Sequence, residues 1–245
     1  MSFFLSKLAN SLEVLDSCQK PKHGTPIYTR TCNRWLGKYI AALAKELLIT
    51  PTHLTIASFV FSVFSFLFFL MYPGSYLIVS GGSFLILFAY ALDSADGQLA
   101  RLTKSGSPVG EWLDHSTDAL KQTLFHGTVQ FIFFVHYQKE NFILVIPIFF
   151  ISVQLTVFTS NLLKEKLFKL NSLTSNLTDH RSTDNVSFIK DILFFFTDYG
   201  ILCMLFFFIP FPNIFVFLYV LCFIINALSG SLMLVSSYLR LKKIV

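Results

Sequence analysis

Asp93-Ser94-Ala95-Asp96-Gly97-Gln98-Leu99-Ala100-Arg101, followed by Gly110, Asp114 and Asp118, sets four aspartates within 26 residues, between two long apolar runs. Carboxylates at membrane depth cost about 2.5–3.5 kcal/mol each on insertion scales, and four together also repel one another. A bound divalent cation is the natural offset. The stretch is therefore both a boundary between membrane spans and a candidate active site.

Outward from this cluster, the chain is 54% hydrophobic and only 13% charged, with 30 phenylalanines in 245 residues. That excludes an ordinary soluble globular domain. A span needs about 20 apolar residues to cross the hydrocarbon, and six such runs are read, at about 53–72, 76–97, 112–136, 142–163, 191–209 and 213–239. The expected fold is an all-α polytopic membrane protein of six transmembrane helices. With six spans, 17 of the 19 Lys and Arg residues fall on one side, leaving Lys121 inside a span and Lys139 outside. Lys and Arg accumulate on the cytoplasmic side, so both termini and the Asp cluster are expected to face the cytoplasm. The basic balance follows the span ends and implies no nucleic-acid partner.

Residues 1–49 form a cytoplasmic N-terminal segment and 50–245 the six-span domain. Within the first, Leu36, Tyr39, Ile40, Leu43 and Leu47 share a stripe opposite Arg34, Lys38, Ala41 and Lys45. This is the pattern of an amphipathic helix lying in the headgroup plane, or of a soluble helix packed on the inner face. The stretch Phe3 to Leu15 carries Lys7 and Glu13, unlike a secretory signal. The cysteines, Cys18, Cys32, Cys203 and Cys222, show no metal-binding spacing and receive no role.

Asp93 and Asp96 are three apart at the end of span 2, and Asp114 and Asp118 are four apart at the start of span 3. Both spacings put a pair on one helix face. Gly97 and the run Ser105-Gly106-Ser107-Pro108 are expected to reverse the chain so that the two faces converge. Oxygen donors in such a cleft suit Mg²⁺ or Mn²⁺, and two ions about 3.5–4 Å apart would clamp a diphosphate. Gly97 and Gly110 let a ligand approach the backbone, and Arg101 offers a bidentate fork for phosphate. A single Asp here would read as a polar cap at the membrane boundary; the spaced set does not.

These residues resemble the signature D-x2-D-G-x2-A-R-x8-G-x3-D-x3-D of the CDP-alcohol phosphotransferases, matched at Asp93, Asp96, Gly97, Ala100, Arg101, Gly110, Asp114 and Asp118. Pro51 and Thr55 also fit the Pro-Asn-x-x-Thr element that the family often carries at the start of span 1, where Thr52 replaces the Asn. The resemblance implies that Asp93, Asp96, Asp114 and Asp118 surround Mg²⁺ or Mn²⁺, as two ions, with Asp118 also the general base on the acceptor hydroxyl. It places Gly97, Ala100, Arg101, Gly110 and Thr55 around the nucleotide and diphosphate, and it suggests a homodimer.

The implied activity is transfer of a phosphatidyl or phosphoalcohol group from a CDP-linked donor to an alcohol in phospholipid biosynthesis, with release of CMP. Chain size resembles the enzymes that use CDP-diacylglycerol. The run Ser107-Pro108-Val109-Gly110-Glu111-Trp112-Leu113-Asp114-His115 instead resembles the choline and ethanolamine phosphotransferases, whose acceptor is diacylglycerol, and there His115 would be a second proton-transfer group. His115 as a boundary histidine stays open. Lys121, facing the Asp114 side of its helix, and Arg181, in the polar loop Lys164 to Lys190, are candidate acceptor contacts; Lys121 is alternatively an ionic partner of the acids. A divalent-cation transporter is a rival from another class, although the acids gather at one end with no relay across the membrane.

Overall fold

A computed structural model of the chain describes residues 2–17, 26–136, 141–175 and 195–242. Among them there is no strand. The elements are α1 (Ser2–Ser17), a π-helical turn (Thr29–Asn33), α2 (Arg34–Glu46), α3 (Pro51–Met71), α4 (Tyr76–Thr103), α5 (Pro108–His136), α6 (Asn141–Ser175), α7 (Tyr199–Met204), a 3₁₀ turn (Leu205–Phe208) and α8 (Pro212–Leu241).

Four helical stretches, Pro51–Met71, Tyr76–Thr103, Phe142–Leu170 and Pro212–Leu241, are long and apolar enough to cross a membrane. At 29 residues α5 has the length as well, but Glu111, Asp114, Asp118 and Lys121 interrupt its apolar character. The expected fifth span is described only as the short apolar helix Tyr199–Phe208, since residues 191–194 lie outside the described residues. Ten residues cannot cross about 30 Å alone at 1.5 Å per residue.

Two expected boundaries shift. The second span does not end at Gly97: α4 runs to Thr103, and the reversal is made by Lys104 in the left-handed region (φ 53°), with the Ser105 N–H donating to the Ala100 carbonyl at 3.0 Å. This is the six-to-one closure that commonly ends helices, here without glycine. Likewise residues 164–175 are not loop but the continuation of α6, because Lys164 to Ser175 contains neither Gly nor Pro. Pro147 sits inside that helix, near its start.

The bundle is antiparallel and its two ends differ in filling. Away from the acids, Phe66, Phe69, Phe125, Phe133, Phe150, Phe206, Phe215 and Tyr219 form one buried aromatic core, with Phe69 stacked on Phe206 at 4.3 Å. Toward the acids the core is made of smaller groups, Ala41, Ala42, Ala44, Leu54, Leu92, Ala95 and Leu99. Small side chains there let α2 lie close on α4: a Cβ at Gly37 would stand 2.7 Å from Gln98 Nε2.

That contact corrects the expected two-faced α2. Ala41 belongs to a buried face, with Ala42 and Ala44, while Trp35, Leu36, Tyr39, Leu43 and Leu47 point outward. Its basic side is taken up by α1, where Lys38 pairs with Asp16 at 2.6 Å and Lys45 donates to Ser11 at 2.9 Å.

Candidate active site

Helix geometry alone sets the depth of the carboxylates. Asp96 lies seven residues before the end of α4 and Asp114 six after the start of α5, so at 1.5 Å per residue both stand about 10 Å from the hairpin. Asp93 and Asp118, each ten residues from it, stand about 15 Å down. The start of α5 is fixed by Ser107, whose Oγ accepts from the Gly110 N–H at 3.0 Å, with Pro108 in the first turn.

α3 packs against both α4 and α5, while among the described residues α4 and α5 make no comparable backbone approach to each other. The space between them is where the side chains meet. One oxygen from each of Asp93, Asp96 and Asp114 lies within 4.8 Å of the others, and so do ligand atoms of Asp114, His115 and Asp118. All the donors in the first set are hard carboxylate oxygens, which fits a divalent cation such as Mg²⁺ or Mn²⁺.

Asp96 is the least exposed of the four, at 5%, and the buried Thr55 hydroxyl from α3 contacts its Oδ2. That hydroxyl also lies 3.2 Å from the Pro51 carbonyl. The helix bearing it starts with a reciprocal cap between Thr50 and His53, with Pro51 in the first turn. Thr55, expected beside the nucleotide, is thus found holding a carboxylate. The sequence signal for this was the pairing of Thr55 with Pro51 at the start of span 1.

Lys121 is buried, and its Nζ is ion-paired with Asp93 and, at 3.3 Å, with Asp118. Helical side chains lean toward their own N-terminus, so a lysine one turn deeper reaches back to the acids. The side chain of Asp118 keeps 30% of its surface open against 15% for Asp93, so Asp118 is the more open of the two partners of Lys121.

Gly97, Ala100 and Arg101 form a half-buried strip on α4. A Cβ at Gly97 would stand 3.5 Å from Arg101 Nη1, so the guanidinium lies over the glycine. Beneath α2, Gln98 donates to the Arg34 carbonyl at 3.1 Å. Gly110 sits at the mouth of α5, on the Ser107 cap. Arg181 lies outside the described residues.

His115 also lines a groove of about 460 Å³ between α5 and α6, with Trp112, Ala119 and Leu162. At the groove's edge Glu111 accepts from Lys166 at 2.6 Å and stands 3.9 Å from His115 Nε2. The hydrogen bond from Lys166 holds the Glu111 carboxyl below the usual range. Neither this pair nor the groove was foreseen from the sequence, because Lys166 lies 55 residues away on another helix.

A second buried polar group ties the N-terminal segment to the bundle. Asp198, the cap of α7, accepts from the Thr29 N–H at 2.7 Å, the Thr29 hydroxyl at 2.8 Å and the Gly200 N–H at 3.0 Å. Tyr90 on α4 shares the Thr29 hydroxyl at 2.7 Å.

Residues 48–239 match the family model described as CDP-alcohol phosphatidyltransferase. A curated protein of Dictyostelium discoideum, "Uncharacterized CDP-alcohol phosphatidyltransferase class-I family protein 2", is 54% identical over 41 residues, 16% of this chain. That match spans 10% of the relative's own length.

Proposed function

The chain belongs to the CDP-alcohol phosphatidyltransferase family, a family of phosphotransferases, and on that premise we propose that it moves a phosphatidyl group from CDP-diacylglycerol to a small polar alcohol. CMP is the second product, and phospholipid biosynthesis the setting. The observation that carries this reading is the convergence of Asp93, Asp96 and Asp114 beside the more open Asp118. The site opens toward the cytoplasm, where the basic span ends lie, and the outward apolar stripe of α2 rests in the headgroup plane. The working form is a homodimer, as the family resemblance suggests.

Asp93, Asp96 and Asp114 would hold the divalent cation, which would draw charge from the diphosphate and favour departure of CMP. Thr55 fixes Asp96 in that set. The strip Gly97, Ala100 and Arg101 receives the cytidine and diphosphate, its glycine admitting close approach and its guanidinium pairing with phosphate oxygens. Asp118 takes the proton of the acceptor hydroxyl as its oxygen bonds to phosphorus and the bond to the CMP phosphate breaks.

The groove beside His115 favours a second reading, in which the donor is a CDP-aminoalcohol and the acceptor is diacylglycerol, its hydroxyl reached by His115 and its chains lying along Trp112, Ala119 and Leu162. Incubation of purified protein with each donor and a panel of acceptors, with lipid products identified by mass, separates the two. A polar-headgroup lipid made from CDP-diacylglycerol supports the first reading. Product formed only from CDP-choline or CDP-ethanolamine with diacylglycerol replaces it with the second. Metal flux into vesicles without nucleotide would favour the transporter over both.

A further inference from the structure

Tyr199, the first residue of α7, reaches between α4 and α5 and has no role in the chemistry proposed above. Its ring meets Tyr90 of α4 edge-on, with centroids 5.2 Å apart, and lies 6.1 Å from the ring of Phe125 on α5. Tyr90 is three residues before Asp93 and Phe125 four after Lys121. The Tyr199 ring therefore lies one helical turn from the ion pairs of Lys121 with Asp93 and Asp118, on the side away from the hairpin. Its place is fixed from behind, because Asp198 caps α7 and accepts from Thr29, whose hydroxyl also meets Tyr90.

The Tyr199 hydroxyl is buried, yet it has no hydrogen-bond partner among the described residues. The Cys203 thiol, one turn on, is a weak donor and acceptor beside it. The carboxylates whose charge reaches the hydroxyl are Asp118 and, to a smaller degree, Asp93. A buried hydroxyl left unpaired costs stability, and a Phe of the same shape would avoid that cost.

Asp118 is also the loosely held partner of Lys121. The ammonium contacts Asp93 more closely than Asp118, where Nζ stands 3.3 Å from Oδ1, longer than the roughly 2.7–2.9 Å of a well-made ammonium–carboxylate bond. A base that presents one oxygen to an acceptor hydroxyl needs the other fixed, and catalytic hydrogen bonds often tighten only in the substrate complex.

We propose that Tyr199 is a positioning residue of the reaction: in the substrate complex its hydroxyl donates to Asp118 and, with Lys121, holds that carboxylate for the acceptor proton. The hydroxyl is unpaired at rest and engaged in turnover. This rests on the reading of Asp118 as the base.

Tyr199→Phe keeps the ring and removes only the hydroxyl. In the purified full chain in detergent, its thermal midpoint without substrate should equal or exceed that of the wild type. Its kcat for CMP release should nevertheless fall about 10- to 100-fold, the effect of losing a hydrogen bond to a charged group, with the donor KM unchanged. Release is measured with Mn²⁺, a mixture of alcohol acceptors and whichever of CDP-diacylglycerol and CDP-choline the wild type turns over. Cys203→Ala, which removes the thiol neighbour, should keep the wild-type kcat. Wild-type kcat in Tyr199→Phe overturns the proposal. A lowered midpoint overturns it too, since the hydroxyl would then be bonded at rest, as does an equal loss of kcat in Cys203→Ala, since the hydroxyl would then serve the thiol. Asp118→Asn separates the two readings: full turnover there removes the base itself, whereas loss there without loss in Tyr199→Phe strikes only the role of Tyr199.

Discussion

Replacing Thr55 with Val exchanges a hydroxyl for a methyl of nearly the same shape and takes away a hydrogen bond to Asp96, which is 5% exposed. A hydrogen bond to a charged group is worth about 1.5–3 kcal/mol, and a buried acceptor left without its donor loses at least that much. With about 1.4 kcal/mol to each factor of ten, metal affinity should weaken about 10- to 100-fold, the range found when a partner of a metal ligand is removed. The perturbation is local, since the Thr50 and Pro51 cap that starts α3 is untouched. The assay is Mn²⁺ titration of purified protein, followed by CMP release at limiting and saturating Mn²⁺. Thr55→Val should need far more Mn²⁺ and regain most of its turnover once saturated, whereas Thr55→Ser, which keeps the donor, should behave as wild type. If Thr55→Val binds Mn²⁺ as tightly as wild type, or if Thr55→Ser is equally weakened, the hydroxyl does not hold Asp96 for the metal.

Three further outcomes follow from contacts described above. Asp118→Asn keeps the shape but not the base, and turnover should fall about 10²- to 10⁴-fold with little change in the KM for the donor, measured by CMP release. Gly37→Val forces a branched side chain into the 2.7 Å approach to Gln98 Nε2; overpacking of this kind costs about 1–3 kcal/mol, read as a lowered thermal midpoint with α2 cleaved faster by protease. Asp198→Ala strands the half-buried Thr29 and buried Gly200 donors at up to about 1–3 kcal/mol apiece, and should free the N-terminal segment to proteolysis while the rest of the bundle resists.

The sequence carried the helices and the acids, because both rest on local rules. Apolar runs of span length became α3, α4, α6 and α8, and spacings of three and four placed each Asp pair on one face. Ends were less legible. Nothing in Gly97 marks it as mid-helix, and the true stop at Lys104 depends on a left-handed residue that is not glycine. The fate of α2 was half visible: its apolar stripe reads directly, but the Ala41, Ala42 and Ala44 face has meaning only once Ser94 and Gln98 of α4 lie opposite. Long-range pairs were out of reach for the same reason. Thr55 with Asp96, Glu111 with Lys166 and Thr29 with Asp198 join residues 41, 55 and 169 positions apart, and no periodicity encodes such partners. Lys121 is the intermediate case, since its helical phase put it on the side of Asp114, while its ion pairs with Asp93 and Asp118 needed the second helix.

The central claim is that these acids hold a cation on a CDP-linked substrate. Its most direct measurement is CMP release by the purified chain, supplied with CDP-diacylglycerol or a CDP-aminoalcohol, Mg²⁺ or Mn²⁺ and a mixture of alcohol acceptors. CMP should appear only when metal, donor and acceptor are all present, and should vanish in Asp114→Ala and Asp118→Ala while both variants stay folded. CMP released at the wild-type rate by either variant, or by the wild type in excess chelator, would contradict the account.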